Sequence, residues 1–149
     1  TDEFVKLCKK LDCIPYICTN AGTGTPEEMS DWVEYCNLEK MGRFARWRAE
    51  NGYEEPHNVK FWSIGNENWG CGGNMVVDYY THLYRRYQTY CRNFGDNVLY
   101  KVASGATDYD YNWTEVLMKN IANHTDGISL HYYTVKGWNG NPPAITCRS

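Results

Sequence analysis

The chain has 149 residues, a net charge of −3 and an aromatic content of 15%, and no apolar stretch in it is long enough to span a bilayer. The mild acidity gives no reason to expect nucleic acid or an anionic membrane as a partner, and the opening TDEFVKLCKK lacks the layout of a signal peptide. The length suffices for one domain with its own core. The 13 Tyr and 6 Trp suit sugar-stacking platforms, although aromatic-rich cores are the commoner cause of such a composition.

Seven cysteines, an odd number with no CxxC among them, read as buried reduced thiols and predict a cytoplasmic protein. Two Asn-x-Thr triplets, at Asn112 and Asn123, point weakly the other way, and Asn112 has a competing role as a helix cap.

In chain order, residues 1–11 read as a helix with Phe4, Leu7, Cys8 and Leu11 at helical spacing and Asp2 and Glu3 in its first turn. Residues 14–19 read as a short strand that ends in the glycine-bearing turn 20–24. Thr25, Pro26 and Glu28 form a capping-box start, after which Met29, Trp32, Val33 and Cys36 make one apolar face. A helix over about 40–49 stops at Asn51 and Gly52.

The stretch VKFWSIGNENWGCGGNM, residues 59–75, organises the rest. Its apolar first six residues read as a buried parallel strand, and Glu67 follows at the strand's C-terminal end, where α/β folds build their sites. Asn74 is the expected cap of a helix to about Phe94, with Val77, Tyr80, Tyr84, Tyr87 and Cys91 on one face. A third strand over 98–104, a helix capped at Asn112, and a fourth strand over 128–133 complete four strand–helix alternations. Such alternation predicts βα units and a parallel sheet. A closed eightfold barrel needs about 250 residues, so four strands are roughly half of one.

Gly65, Asn66 and Glu67 at a strand end resemble the acid/base motif of the retaining TIM-barrel glycosidases. The longer string FWSIGNENWGCGGNM resembles the α-L-arabinofuranosidases of glycoside hydrolase family 51, as do PYICTNAGTGTPEEMSDWVEYCN, RAENGYEEPHNVKFW, DYNWTEVLMKN and DGISLHYYT in the same order. The resemblance implies an α/β fold, a partial (β/α)8 TIM barrel comprising about strands 3 to 6 with their helices. Residues 1–149 would then be a fragment of a single catalytic domain, with an irregular tail over 139–149.

In that family Glu67 would be the general acid/base and Asn66 would bind the sugar 2-hydroxyl, while His131 and Tyr133 would line the site. Trp69 and Asn20 are further candidates for substrate contact, and Trp62 and Trp69 for an apolar wall that raises the pKa of Glu67 by desolvation. His131 and Tyr133, two residues apart on one strand, share a face, with Tyr132 turned toward the helices. The resemblance also implies a nucleophilic carboxylate after strand seven. No Asp or Glu follows Asp126, so the nucleophile is expected outside this chain.

Bland readings stand beside these. Glu67 could cap a loop, Asn66 could be an ordinary turn residue, and His131 could be a neutral core histidine. The four histidines show no metal-ligand spacing, and Gly22 and Gly24 do not belong to a phosphate loop; neither metal nor cofactor is expected. The leading reading is part of an exo-acting arabinofuranosidase that takes arabinofuranosyl oligo- or polysaccharides. A xylanase- or endoglucanase-type enzyme of the same clan and a non-catalytic carbohydrate-binding remnant remain alternatives. The full-length protein is open to homo-oligomerisation.

Overall fold

The computed structural model describes residues 1–133, so the tail over 139–149 and Cys147 lie outside the described residues. Strands β1 (Tyr16–Thr19), β2 (Phe61–Ile64), β3 (Tyr100–Ala103) and β4 (Gly127–Ile128) form one sheet in sequential order. Every neighbouring pair is parallel. The helices are α1 (Asp2–Lys10), α2 (Pro26–Asn37), α3 (Arg43–Glu50), α4 (Val77–Tyr90) and α5 (Tyr111–Ile121).

Side chains alternate across each strand, so one face of the sheet carries Ile17, Trp62, Ile64 and Ala103, all buried against the helices. On this side Trp32 of α2 meets Trp62 edge-on, ring centroids 5.9 Å apart. Trp62 therefore belongs to the helix–sheet core and forms no wall beside Glu67. The other face carries Tyr16, Cys18, Phe61, Tyr100 and Val102, and among the described residues no helix covers it. Tyr16 remains 42% exposed and Tyr100 37%. The buried parallel strand expected over 59–64 implies cover on both sides; within the described residues only the helical side is covered.

Tyr80 of α4 ties the core to the strand ends that carry the site. Its hydroxyl donates to the Ile64 carbonyl at 2.6 Å and accepts from the Ser104 amide at 2.7 Å. Trp113 of α5 stacks on it at 5.6 Å and donates its indole N–H to the Ser104 carbonyl. Both polar ends of this fully buried tyrosine are thus satisfied. The C-terminal ends of β2 and β3 are held at fixed height by one side chain.

Arg48 of α3 is also fully buried, yet among the described residues it pairs with no carboxylate. Its guanidinium donates instead to the carbonyls of Tyr35, Glu39, Tyr53 and Glu54, at 2.6 to 3.1 Å. The five-donor fork of arginine suits this role, and it fixes the loop that leads from α3 toward β2. Among the described residues Cys8, Cys36 and Cys91 are buried thiols, whereas Cys13, Cys18 and Cys71 are exposed, and all six are free. Burial pushes Cys36 up to about 12 and Cys91 to about 11.

Several element starts differ from expectation. In α1 the buried residues are Val5 and Cys8, while Phe4, Leu7 and Leu11 are exposed. Asn74 does not cap α4: it has φ +49° and its amide bonds back to the Gly70 carbonyl, so it closes the preceding turn, and the helix starts after Val76. Asn112 lies inside α5, whose cap is Asp110, accepting from the Trp113 amide at 3.0 Å. The ladder of β4 ends at Ile128, and His131 makes a single bridge to Thr107.

The capping box of α2 matches its prediction. Thr25 Oγ1 accepts from the Glu28 amide at 3.1 Å, and Glu28 Oε2 accepts from the Thr25 amide at 2.7 Å. Thr25→Ala in the full-length protein is expected to cost about 1 kcal/mol, read from the denaturant midpoint. No change there would mean that packing alone sets the start of this helix.

Candidate active site

The site grows from the turn after β2. Gly65 has φ +85°, and a Cβ there would lie 2.1 Å from Asn68 Oδ1, so only glycine fits. Glu67 itself sits at φ +48°, a left-handed conformation uncommon outside glycine and asparagine. It is kept there by two amides on its own carbonyl, Gly70 at 2.8 Å and Gly72 at 3.0 Å. Asn68 is buried beneath the turn and donates to the Gly72 carbonyl at 2.9 Å.

This backbone aims the Glu67 carboxylate at the segment that follows β4. Oε1 receives His131 Nδ1 at 3.1 Å and the Tyr133 hydroxyl, while Oε2 receives the Cys71 thiol at 3.2 Å. Ser129 Oγ lies 3.1 Å from His131 Nε2 and accepts from the Gly105 amide at 3.0 Å. An ionised Glu67 carboxylate can only accept, so Nδ1 is the ring nitrogen that donates to it, while the Ser129 hydroxyl is also within 3.4 Å of the Ala103 carbonyl. Trp69 meets the His131 ring edge-on at 5.9 Å, and its indole N–H donates to the Gly105 carbonyl at 2.9 Å. Asp108 takes the backbone of the same segment, its amide donating to the His131 carbonyl and its Oδ1 accepting from the Tyr133 amide.

The Glu67 side chain is 18% exposed, and the Tyr133 hydroxyl, followed by the Cys71 thiol, holds its carboxyl below the usual carboxylate range. Desolvation pulls upward but loses to these donors, the reverse of the sequence-based expectation. The carboxylate in turn pushes the Tyr133 hydroxyl and the Cys71 thiol above their ordinary values, so both remain protonated donors.

Asn66 is exposed and lines a cleft of about 720 Å³ together with Asn20, Cys71, Asn68 and Trp32. Asn20 borders this cleft, but its side chain is engaged within its own loop. Oδ1 accepts from the amides of Gly22 and Thr23, and Nδ2 donates to Thr23 Oγ1. Tyr132 is 60% exposed and meets Tyr109 edge-on; it does not pack on the helices. Among the described residues no group of three His, Cys, Asp or Glu could hold a metal ion, and no helix is long and apolar enough to cross a membrane.

Glu67, His131 and Tyr133, which the sequence placed in one site, are in hydrogen-bond contact, with Trp69 packed behind His131. The roles of Cys71, Ser129 and Asp108 were not foreseen. Ser129, His131 and Tyr133 follow a two-residue alternation, which is the signal that would have found Ser129.

The sequence profile of the alpha-L-arabinofuranosidase 1 domain matches residues 1–141. The chain belongs to that family. It is 51% identical over 146 residues to the intracellular exo-alpha-L-arabinofuranosidase of Bacteroides ovatus, covering 98% of this chain and 28% of the relative. A probable alpha-L-arabinofuranosidase C of Aspergillus niger is 56% identical over 70 residues, 47% of this chain and 14% of its own length. The GH51 arabinofuranosidase from Xanthomonas axonopodis pv. citri superposes with TM-score 0.89 at 41% identity, over 93% of this chain and 28% of that one. The alpha-L-arabinofuranosidase of Thermotoga maritima, solved as an arabinose complex, gives TM-score 0.81 at 37% identity, over 90% and 28%. The chain thus spans little more than a quarter of the length of the relatives it matches most fully. Its four parallel strands and their helices are a partial (β/α)8 barrel of this arabinofuranosidase family.

Proposed function

We propose that this chain is part of a retaining, exo-acting α-L-arabinofuranosidase that hydrolyses terminal arabinofuranosyl residues, with Glu67 as general acid/base. The observation that carries the reading is a carboxylate at the C-terminal end of a parallel strand, held by His131, Tyr133 and Cys71, the last of which lines an open cleft. In a retaining reaction a second carboxylate, about 5–5.5 Å from the first, attacks the anomeric carbon. Glu67 protonates the departing glycosidic oxygen and then takes a proton from the water that releases the sugar. In the arabinofuranosidases this sequence resembles, that second carboxylate follows strand seven, and we place it outside these 149 residues. Its negative charge would raise the pKa of Glu67 and oppose the three donors.

Asn66, exposed in the cleft, supplies an amide able to donate to and accept from a sugar hydroxyl. The relative from Bacteroides is named intracellular, and we place the full-length protein in the cytoplasm on that likeness and on the free thiols. The test is turnover of an aryl α-L-arabinofuranoside against an aryl β-xyloside by the full-length protein. Arabinofuranoside preference supports the reading, and xyloside preference assigns the site to another glycosidase of this barrel class.

The lowered pKa of Glu67 has a kinetic consequence. The acid must be protonated for the first step, so the alkaline limb of kcat/KM follows the Glu67 pKa. Removing the largest downward influence by Tyr133→Phe is expected to move that limb to higher pH. An unmoved or downward-shifted limb would show that Tyr133 does not hold the ionised carboxylate.

A further inference from the structure

Resting on the acid/base reading of Glu67, we propose that Cys71 is a positioning residue whose thiol keeps Glu67 Oε2 as the oxygen that carries the catalytic proton. The two carboxylate oxygens are partnered unequally. Among the described residues Oε1 takes two donors, His131 and Tyr133, while Oε2 takes only the Cys71 thiol, at 3.2 Å. The oxygen with two strong donors has its lone pairs committed, so the proton is better held on Oε2. Cys71 is exposed and lines the same cleft as Asn66. Oε2 is thus the carboxylate oxygen in contact with a side chain that lines the cleft.

A thiol suits this neighbour because it is both a weak donor and a weak acceptor. With Glu67 ionised, S–H donates to Oε2. With Glu67 protonated, the Oε2–H turns to sulfur and the thiol hydrogen rotates away, with no heavy atom moving. When the proton leaves Oε2 for the glycosidic oxygen, the S–H bond to the carboxylate re-forms. The same contact therefore holds the side chain through both half-reactions. A lysine or arginine here could only donate and would pin Glu67 in its ionised form.

The backbone makes the placement firm. The amides of Gly70 and Gly72, on either side of Cys71, both bond the Glu67 carbonyl. A Cβ on Gly72 would lie 1.9 Å from the Asn66 carbonyl oxygen, and a Cβ on Gly22 would lie 2.8 Å from the Gly72 carbonyl oxygen. The turn is packed closely from both sides, which returns the thiol onto the carboxylate four residues before it.

The experiment measures kcat and KM across pH for Cys71→Ala and Cys71→Ser in the full-length enzyme, on an unactivated arabinofuranosyl oligosaccharide and on an aryl arabinofuranoside. Cys71→Ala is expected to lower kcat on the oligosaccharide about tenfold, a fraction of the usual value of proton transfer, with KM changed less than about twofold. Its alkaline limb of kcat/KM should move to higher pH, and the aryl substrate should be affected less. Cys71→Ser keeps a group that donates and accepts, so kcat returns toward wild type, and the stronger hydroxyl donor sets the limb at or below the wild-type position. This second variant stands alone should the alanine form fail to fold. Serine behaving as alanine does, or an alanine profile that overlays wild type, overturns the inference while leaving Glu67 in its role. Should Glu67→Gln itself retain full turnover of the oligosaccharide, the acid/base reading falls and the role of Cys71 falls with it.

Discussion

Glu67→Gln in the full-length protein is expected to cut turnover of unactivated arabinofuranosides by about 10²–10⁴-fold, the usual contribution of a positioned general acid. The amide nearly matches the carboxylate in size and can still accept from Tyr133 and His131 through its oxygen, so binding should survive better than turnover. An aryl substrate with a good leaving group needs little protonation in the first step and should lose much less there. Its second step still lacks a base, so the covalent intermediate should accumulate. Azide added to Glu67→Ala would then attack that intermediate without deprotonation and restore part of the aryl turnover. Equal losses on both substrates, with no azide effect, would remove Glu67 from the acid/base role.

Much of this site was legible before any coordinates. The apolar run ending in Gly65, Asn66 and Glu67 marked a strand end. It was the resemblance to the arabinofuranosidases, however, that joined His131 and Tyr133 to Glu67, and the strand expected over 128–133 ends at Ile128. What the residues could not disclose was the balance of forces on the carboxylate. Desolvation was the expected influence on Glu67, because strand ends in barrels are partly buried. The structure shows instead that Tyr133 and Cys71, 66 residues and 4 residues distant in sequence, outweigh it. Contacts of the first kind are invisible to local pattern, and the second was hidden because a Gly-rich turn does not reveal where its side chains return.

The helix starts fail for a related reason. Asn74 and Asn112 are good capping residues, but the preceding turn claims Asn74 through its φ of +49°, and Asp110 starts the helix two residues before Asn112 by accepting from the Trp113 amide. Thr25 succeeded because its partner Glu28 is local, three residues on, so sequence alone carried both halves of the box. Trp62 shows the limit of composition. Its aromatic ring suits a sugar platform, yet its register beside Ile17 and Lys101 puts it on the helical face of the sheet.

The 149 residues expressed alone are expected to release no arabinose and to hold no stable monomeric fold. A double displacement needs a second carboxylate, which the proposed reading places after strand seven, outside these residues. Stability fails for a separate reason. Among the described residues β1 and β4 are the outer strands of an open sheet, each with a row of backbone groups that no strand pairs. The face opposite the helices leaves Tyr16, Cys18 and Tyr100 exposed and Phe61 and Val102 half-covered. In a closed barrel that face is filled by side chains from the remaining strands. Fully burying a side chain such as Phe61 or Val102 is worth about 1.5–3 kcal/mol, and the partial exposure of this face subtracts a share of that from a typical net stability of about 5–15 kcal/mol. A second copy laid across the open face would restore part of this burial and cover both edges, so chain mass in solution belongs beside the thermal melt. A non-cooperative melt, aggregation or a dimer agrees with the argument. A cooperative melt from a monodisperse monomer would show that the helical side alone carries the fold, and measurable arabinose release would place the nucleophile within these residues.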